Sequence, residues 1–111
     1  MEKKIKIEGQ EIGIKATAGT VRSYRDNYGR DIIVDIGTLQ NEILKNKTLS
    51  TESAKVAENV IYTLAKDYDP SLPEIDKWLE SFSPYFVYEV IPDVILAWTE
   101  NMRTLAKSKK D

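Results

Sequence analysis

The 111-residue chain is 41% apolar and 31% charged with a net charge of −2, the balance of one soluble globular domain with a modest core. It contains neither cysteine nor histidine, which removes thiolate nucleophiles, Ser-His triads, disulfide frameworks and ordinary zinc sites together. Residues 1–30 hold seven Lys/Arg against four Asp/Glu, residues 31–80 five against ten, and residues 81–111 four against four, a dipolar pattern rather than that of a basic nucleic-acid module.

The longest strictly apolar run, Val94-Ile95-Leu96-Ala97-Trp98, is too short to span a bilayer. Met1-Glu2-Lys3-Lys4 leads into an alternating segment instead of an apolar signal core, so a reducing cytoplasm is the expected location. That segment, KKIKIEGQEIGIK, alternates with the period of a strand. A two-residue turn at Gly9-Gln10 would set Glu8 opposite Glu11, Ile7 opposite Ile12 and Ile5 opposite Ile14. All four isoleucines would share one face, with Lys4, Lys6 and Lys15 on the other. A lone hairpin is marginal in water, so the isoleucine face must lie on something helical.

Thr17 is placed to cap a short helix on which Val21, Tyr24 and Tyr28 share a face, while Arg22 and Arg25 point elsewhere. Gly29 can end it in the left-handed conformation, and Asp31 can cap a second helix with Ile32, Ile36, Leu39 and Ile43 inward. Gly37 falls in the middle of that helix, where glycine is unfavourable by about 1 kcal/mol. After the polar connector NKTLST, Ser50 or Thr51 opens a third helix, with Ala57, Ile61, Leu64 and Tyr68 on one stripe, Val60 beside it, and a stop at Asp69-Pro70.

Ser71 and Glu74 have capping-box spacing ahead of a short helix facing Ile75, Trp78, Leu79 and Phe82 inward. Ser83-Pro84 opens the last helix, with Phe82 and Val87 at the staple positions on either side of the start. Its stripe is Val87, Ile91, Val94, Trp98, Met102 and Leu105, broadened by Val90 and Ile95, and Pro92 predicts a kink. Lys107, Lys109 and Lys110 favour the negative end of its dipole. The expected fold is mainly α: an N-terminal β-hairpin (1–16) packed on a compact bundle of about five helices (17–107), then a frayed tail (108–111), in a single domain (1–111).

Asp67-Tyr68-Asp69-Pro70-Ser71 opens like a calcium loop, but Leu72 and Trp78 stand where glycine and a bidentate glutamate belong, and a helix stop followed by a cap explains the same residues. Arg22, Arg25 and Arg30 beside Tyr24 and Tyr28 allow a second reading, a small nucleic-acid-binding regulator with stacking rings and phosphate contacts. Against it, the tyrosines share the apolar face, and Asp26 and Asp31 stand ready to pair with Arg22 and Arg30. No acid, base and nucleophile cluster at meaningful spacing, so catalytic, cofactor and metal sites are not expected and the chain reads as non-enzymatic.

Taken in order, the lysine-and-isoleucine hairpin, the ATAGT turn and the run Arg22-Ser23-Tyr24-Arg25-Asp26-Asn27-Tyr28-Gly29-Arg30-Asp31 resemble the tail assembly chaperones of long-tailed bacteriophages and of prophages in Gram-positive bacteria. The resemblance continues through Ala65 to Pro70, through Trp78-Leu79-Glu80-Ser81-Phe82, and through Tyr88 to Pro92 with Trp98, covering about Lys3 to Met102. It implies a non-enzymatic role: binding the tape measure protein, keeping its apolar helical segments soluble, and recruiting tail tube protein before the tube polymerises. It also implies action in the host bacterial cytoplasm, absence from the mature virion, several copies on one client, and no membrane or nucleic-acid partner. A structural tail or connector protein is the remaining rival. In many relatives a −1 frameshift lengthens the chain. The ending Lys107-Ser108-Lys109-Lys110-Asp111 fits an A-rich slippery run and equally a charged terminus. Trp98 and Met102, late on the last helix, are the partner-binding candidates, with a core role for Trp98 the competing reading.

Overall fold

A computed structural model describes residues 1–110, with side chains described as far as Met102. Two antiparallel strands, β1 (Glu2–Ile7) and β2 (Gln10–Lys15), lead into five helices: α1 (Ala18–Tyr28), α2 (Ile32–Asn46), α3 (Thr51–Tyr68), α4 (Ile75–Leu79) and α5 (Phe86–Lys110). The expected mainly helical bundle with an N-terminal hairpin is what forms. Leu105, the closing lysines and the 108–111 tail fall where side chains, or for Asp111 the whole residue, lie outside the described part.

The hairpin turns one residue earlier than Gly9-Gln10. Glu8 and Gly9 form the turn, both with positive φ (49° and 79°), the signature of a type I′ connection. Ile5 therefore faces Ile12, Ile7 faces Gln10, Lys6 faces Glu11 and Glu2 faces Lys15. Electrostatics explains the correction. The expected register set Glu8 against Glu11 and Lys4 against Lys15, and like charges directly opposite are unfavourable. The observed register pairs opposite charges instead. It also lets Met1 and Ala16 extend the ladder through two further hydrogen bonds of 2.8 and 2.9 Å. Because the two registers differ by two positions, the isoleucines keep one face, and Ile5, Ile7 and Ile14 are buried in either case.

That isoleucine face lies on the core, in which α3 is the central element: Ala57, Val60, Ile61 and Leu64 are wholly buried. From α2 come Ile32, Ile36 and Leu39, and from α5 come Phe86, Val87, Val90, Ile91, Val94 and Ala97. The polar connector hides a further core residue, Leu49, whose N–H donates to the Tyr88 hydroxyl at 3.3 Å. Helix starts behave as the capping residues require. Thr17, Asp31 and Ser50 each accept backbone N–H bonds from the turn they open. Glu42 of α2 adds a carboxylate to the Ser50 cap at the start of α3, accepting from Ser50 N–H and from the Ser53 hydroxyl.

Three expectations near the C-terminal half change. Ser71 does not cap α4, because its N–H and hydroxyl both go back to the Asp69 carboxylate at 3.0 and 2.6 Å. Helix α4 then begins after Glu74 without a side-chain cap and ends at Leu79, leaving Phe82 in the following turn. Helix α5 starts at Phe86, two residues beyond Pro84. Ser83 still closes that turn, its carbonyl accepting from Phe86 N–H at 3.0 Å. Helix α5 runs from Phe86 through Pro92 to Lys110.

The hairpin is locked to α3 by a close approach at Gly13, where an added Cβ would come within 2.2 Å of the Tyr68 ring. Gly37, inside α2, has nothing within 4 Å of such a Cβ. The two glycines should therefore respond oppositely to alanine. Gly13→Ala is expected to lower stability by about 1–3 kcal/mol through overpacking, with part of the loss recovered when Tyr68→Ala is added. Gly37→Ala should raise it by about 0.5–1 kcal/mol. Urea unfolding of the three variants measures both signs.

Candidate partner-binding surface

Most of the arginine- and tyrosine-rich segment builds structure. Tyr24 is fully buried on α1, and its hydroxyl donates to Asp35 Oδ2 at 2.7 Å. Arg30, just beyond the left-handed Gly29 (φ 65°), closes on the same carboxylate in a bidentate pair, with Nε to Oδ2 and Nη2 to Oδ1 both 2.8 Å. Asp35 is only 3% exposed, in the first turn of α2, where the helix dipole also favours an anion. Asp31 caps the same helix through Ile33 N–H at 2.8 Å. One carboxylate thus ties α1, the connecting turn and α2 together. Asp35 was not among the sequence-derived candidates. Its signal was a charged residue one position before the inward-facing Ile36, on the border of the apolar stripe.

The electrostatics of this group are one-sided. Burial pushes the Asp35 carboxyl up, but hydrogen bonds from Arg30 and Tyr24 and the guanidinium charge outweigh it and hold the group below the usual carboxylate range. Burial and then the hydrogen bond to Asp35 raise the Tyr24 hydroxyl, which stays protonated.

The other motif residues separate. Tyr28 is half-buried, its ring 5.0 Å from that of Tyr24. Arg22 is exposed and reaches Asp26 at 4.0 Å, and Arg25 is exposed. Arg30 is committed to Asp35, so the three arginines do not share one cationic face. The calcium-like carboxylates also diverge: Asp67 accepts from the buried Thr20 hydroxyl, and Asp69 from Ser71.

Trp78 of α4 is the centre of an aromatic cluster. It meets Phe82 and Phe86 edge-on at 5.1 and 5.5 Å and Tyr62 at 5.5 Å, while Phe82 stacks on Phe86 at 4.2 Å and 22°. Each such pair contributes about 0.5–1.5 kcal/mol beyond area burial. Tyr62 is fixed from its far end, its hydroxyl donating to the Pro73 carbonyl at 2.6 Å. The cluster leaves a cleft on each side of Phe82. One, of about 320 Å³, lies between β2, the end of α3 and Trp78, with Ile12, Tyr68 and Leu72 in its walls. The other, of about 260 Å³, is bounded by Leu79, Phe82, Pro84, Phe86 and Val87. Leu79 thus lines the second cleft.

Of the late-helix candidates, Trp98 packs half-buried against the core and Met102 is 51% exposed. Met102 belongs to an open stripe of α5 with Tyr88 and Leu96, and α2 carries another with Ile33 and Leu44. None of these stripe residues lines either of the two clefts. No group of three or more Asp or Glu side chains suited to a cation occurs among the described residues. No helix among them is long and apolar enough to cross a membrane. Comparisons with protein families, with curated proteins and with solved structures find no match to this chain.

The Asp35 group makes a pH-dependent prediction. Asp35→Ala strands the buried Tyr24 hydroxyl and should destabilise the fold by about 1–3 kcal/mol. In the native chain a depressed carboxyl contributes fully above its unfolded pKa, about 3.9, and loses that contribution as pH falls through the lower folded value. In Arg30→Ala, burial dominates and the carboxyl moves up, so that variant loses stability as pH rises. Its deficit relative to the native chain should accordingly be larger at pH 7 than at pH 4, read by denaturant midpoints at the two pH values.

Proposed function

We propose that the chain is a non-enzymatic tail assembly chaperone of the long-tailed phage and prophage type. In this reading it binds the tape measure protein in the bacterial cytoplasm, keeps that client's apolar helical segments soluble, helps recruit tail tube protein, and leaves before the virion is complete. The pair of aromatic-walled clefts beside Phe82 carries the reading, because they offer apolar anchoring points on a small helical body. The ordered motifs add support: Tyr24, Gly29, Arg30 and Asp31 build the α1–α2 junction, and Trp78 and Leu79 stand at the clefts.

The mechanism is that of a holdase. Several copies coat one elongated client, each contact weak and their sum strong along its length. Weak individual contacts also let the polymerising tube displace the chaperone. Nothing in such a cycle requires bond-making chemistry.

A tagged chain expressed in cells producing the parent phage should co-purify with the tape measure protein, with or without tube protein, by mass spectrometry. Recovery of nucleic acid instead, or retention of the chain in purified particles, would overturn the proposal.

A further inference from the structure

We infer that the two clefts flanking Phe82 form one docking site for a helix that carries an apolar stripe bordered by lysine or arginine. The inference rests on the reading that the chain holds a helical client, and adds where the client sits and what its charge must be.

Shape supplies the first half. The clefts share Phe82 as a common wall, so they can receive anchors from neighbouring turns of one helix. Their volumes, about 320 and 260 Å³, sit at or below the small end of the ~300–1,000 Å³ range of pockets that enclose whole small molecules. They suit individual side chains projecting from a larger partner. Their walls are also pre-formed: the rings of Trp78, Phe82 and Phe86 hold one another in place, so little ordering opposes binding.

Charge supplies the second half. Every charged residue lining the two clefts is a carboxylate: Glu11 and Asp69 in one, Glu58 in the other. Glu11 has a cation, Lys4, at 3.5 Å, with both side chains well exposed. Among the described residues Glu58 and Asp69 form no ion pair within 4 Å, although Asp69 feels the charge of Lys66, which donates to the Leu72 carbonyl beside the first cleft. A further carboxylate, Glu8, reaches from the hairpin turn to the N–H and hydroxyl of Ser83 on the rim of the second cleft, at 2.9 to 3.2 Å. Hydrogen bonds from the Ser71 hydroxyl and N–H lower the Asp69 carboxyl from its ordinary value. Apolar walls whose charged edge residues are carboxylates favour apolar anchors edged by positive charge over an acidic helix of the same shape. The open stripe residues of α2 and α5 line neither cleft.

The test uses the full chain and two synthetic 20-residue helical peptides with the same leucine and phenylalanine stripe, one bordered by lysine and arginine, the other by glutamate. Fluorescence anisotropy should show the basic peptide binding at least about tenfold more tightly, with the preference shrinking at high salt. Glu58→Lys, at a half-buried position outside the aromatic cluster, should weaken the basic peptide several-fold, and Leu72→Glu should weaken both peptides. Leu96→Glu on α5 should leave binding unaltered. Equal binding of the two peptides, or loss in Leu96→Glu with none in Glu58→Lys, would overturn the inference. Tape measure capture by the same variants separates the two claims. Capture retained by Glu58→Lys and Leu72→Glu but lost in Leu96→Glu sinks the cleft assignment and leaves the chaperone reading standing. Absence of capture by the native chain sinks the chaperone reading, and the peptides then decide the clefts alone.

Discussion

A carboxylate with almost no exposure, Asp35, holds the first two helices in their relation to each other. An ionised group in that position is tolerable only when its lone pairs are filled, and Tyr24 and Arg30 fill them from α1 and from the turn beyond it. The pair is asymmetric. Asp35 is enclosed, whereas about half of the Arg30 side chain faces water, so the cation keeps much of its hydration while it neutralises the buried charge. Geometry follows from this demand. The chain must reverse sharply between Tyr28 and Asp31 for Arg30 to reach back, and Gly29 in the left-handed conformation supplies the reversal. A segment whose composition suggests a cationic face is thus largely an internal clamp.

The N-terminal hairpin depends on the helices in turn. Its isoleucine face is closed against the core, its turn is tied to the approach to α5 by Glu8 and Ser83, and its second strand is held by Tyr68 over Gly13. These contacts join the first residues of the chain to the start of the last helix. Residues far apart in sequence therefore surround the same clefts: Ile12 and Glu11 from β2, Leu72 and Trp78 from around α4, and Phe82 to Val87 leading into α5. The alternative surface, the open stripe of α5, draws on one element alone.

For function, the consequence is a division of labour. Buried polar groups in the α1–α2 junction specify the scaffold, and among the described residues no buried side-chain polar atom lacks a partner. The rings around Trp78 are partly in the core and partly at the surface, which gives rigid apolar walls open to a partner. The holdase role proposed above would call for such a surface, because each of many weak sites along a client would need only shallow anchors and a charge preference.

The sequence by itself determined the helical class, the order of the elements, and the starts of α1, α2 and α3, because caps and apolar periodicity act over a few residues. Thr17, Asp31 and Ser50 read locally as they function, and so does Gly29. The apolar pattern alone did not choose the hairpin register, since two registers keep Ile5, Ile7, Ile12 and Ile14 on one face. The cross-strand charges that separate them were in the sequence, whereas the Met1–Ala16 closure is seen only in the fold. Nor could the sequence show that Ser71 turns back to Asp69, that Leu49 enters the core, or that Asp35 receives Arg30 and Tyr24, for each depends on a partner brought close by folding. The clefts beside Phe82 belong wholly to the tertiary structure. Spacing marked Trp78 and Leu79 as inward residues of a short helix. Which of their surfaces stays open was decided by how α3, the hairpin and the start of α5 pack around them.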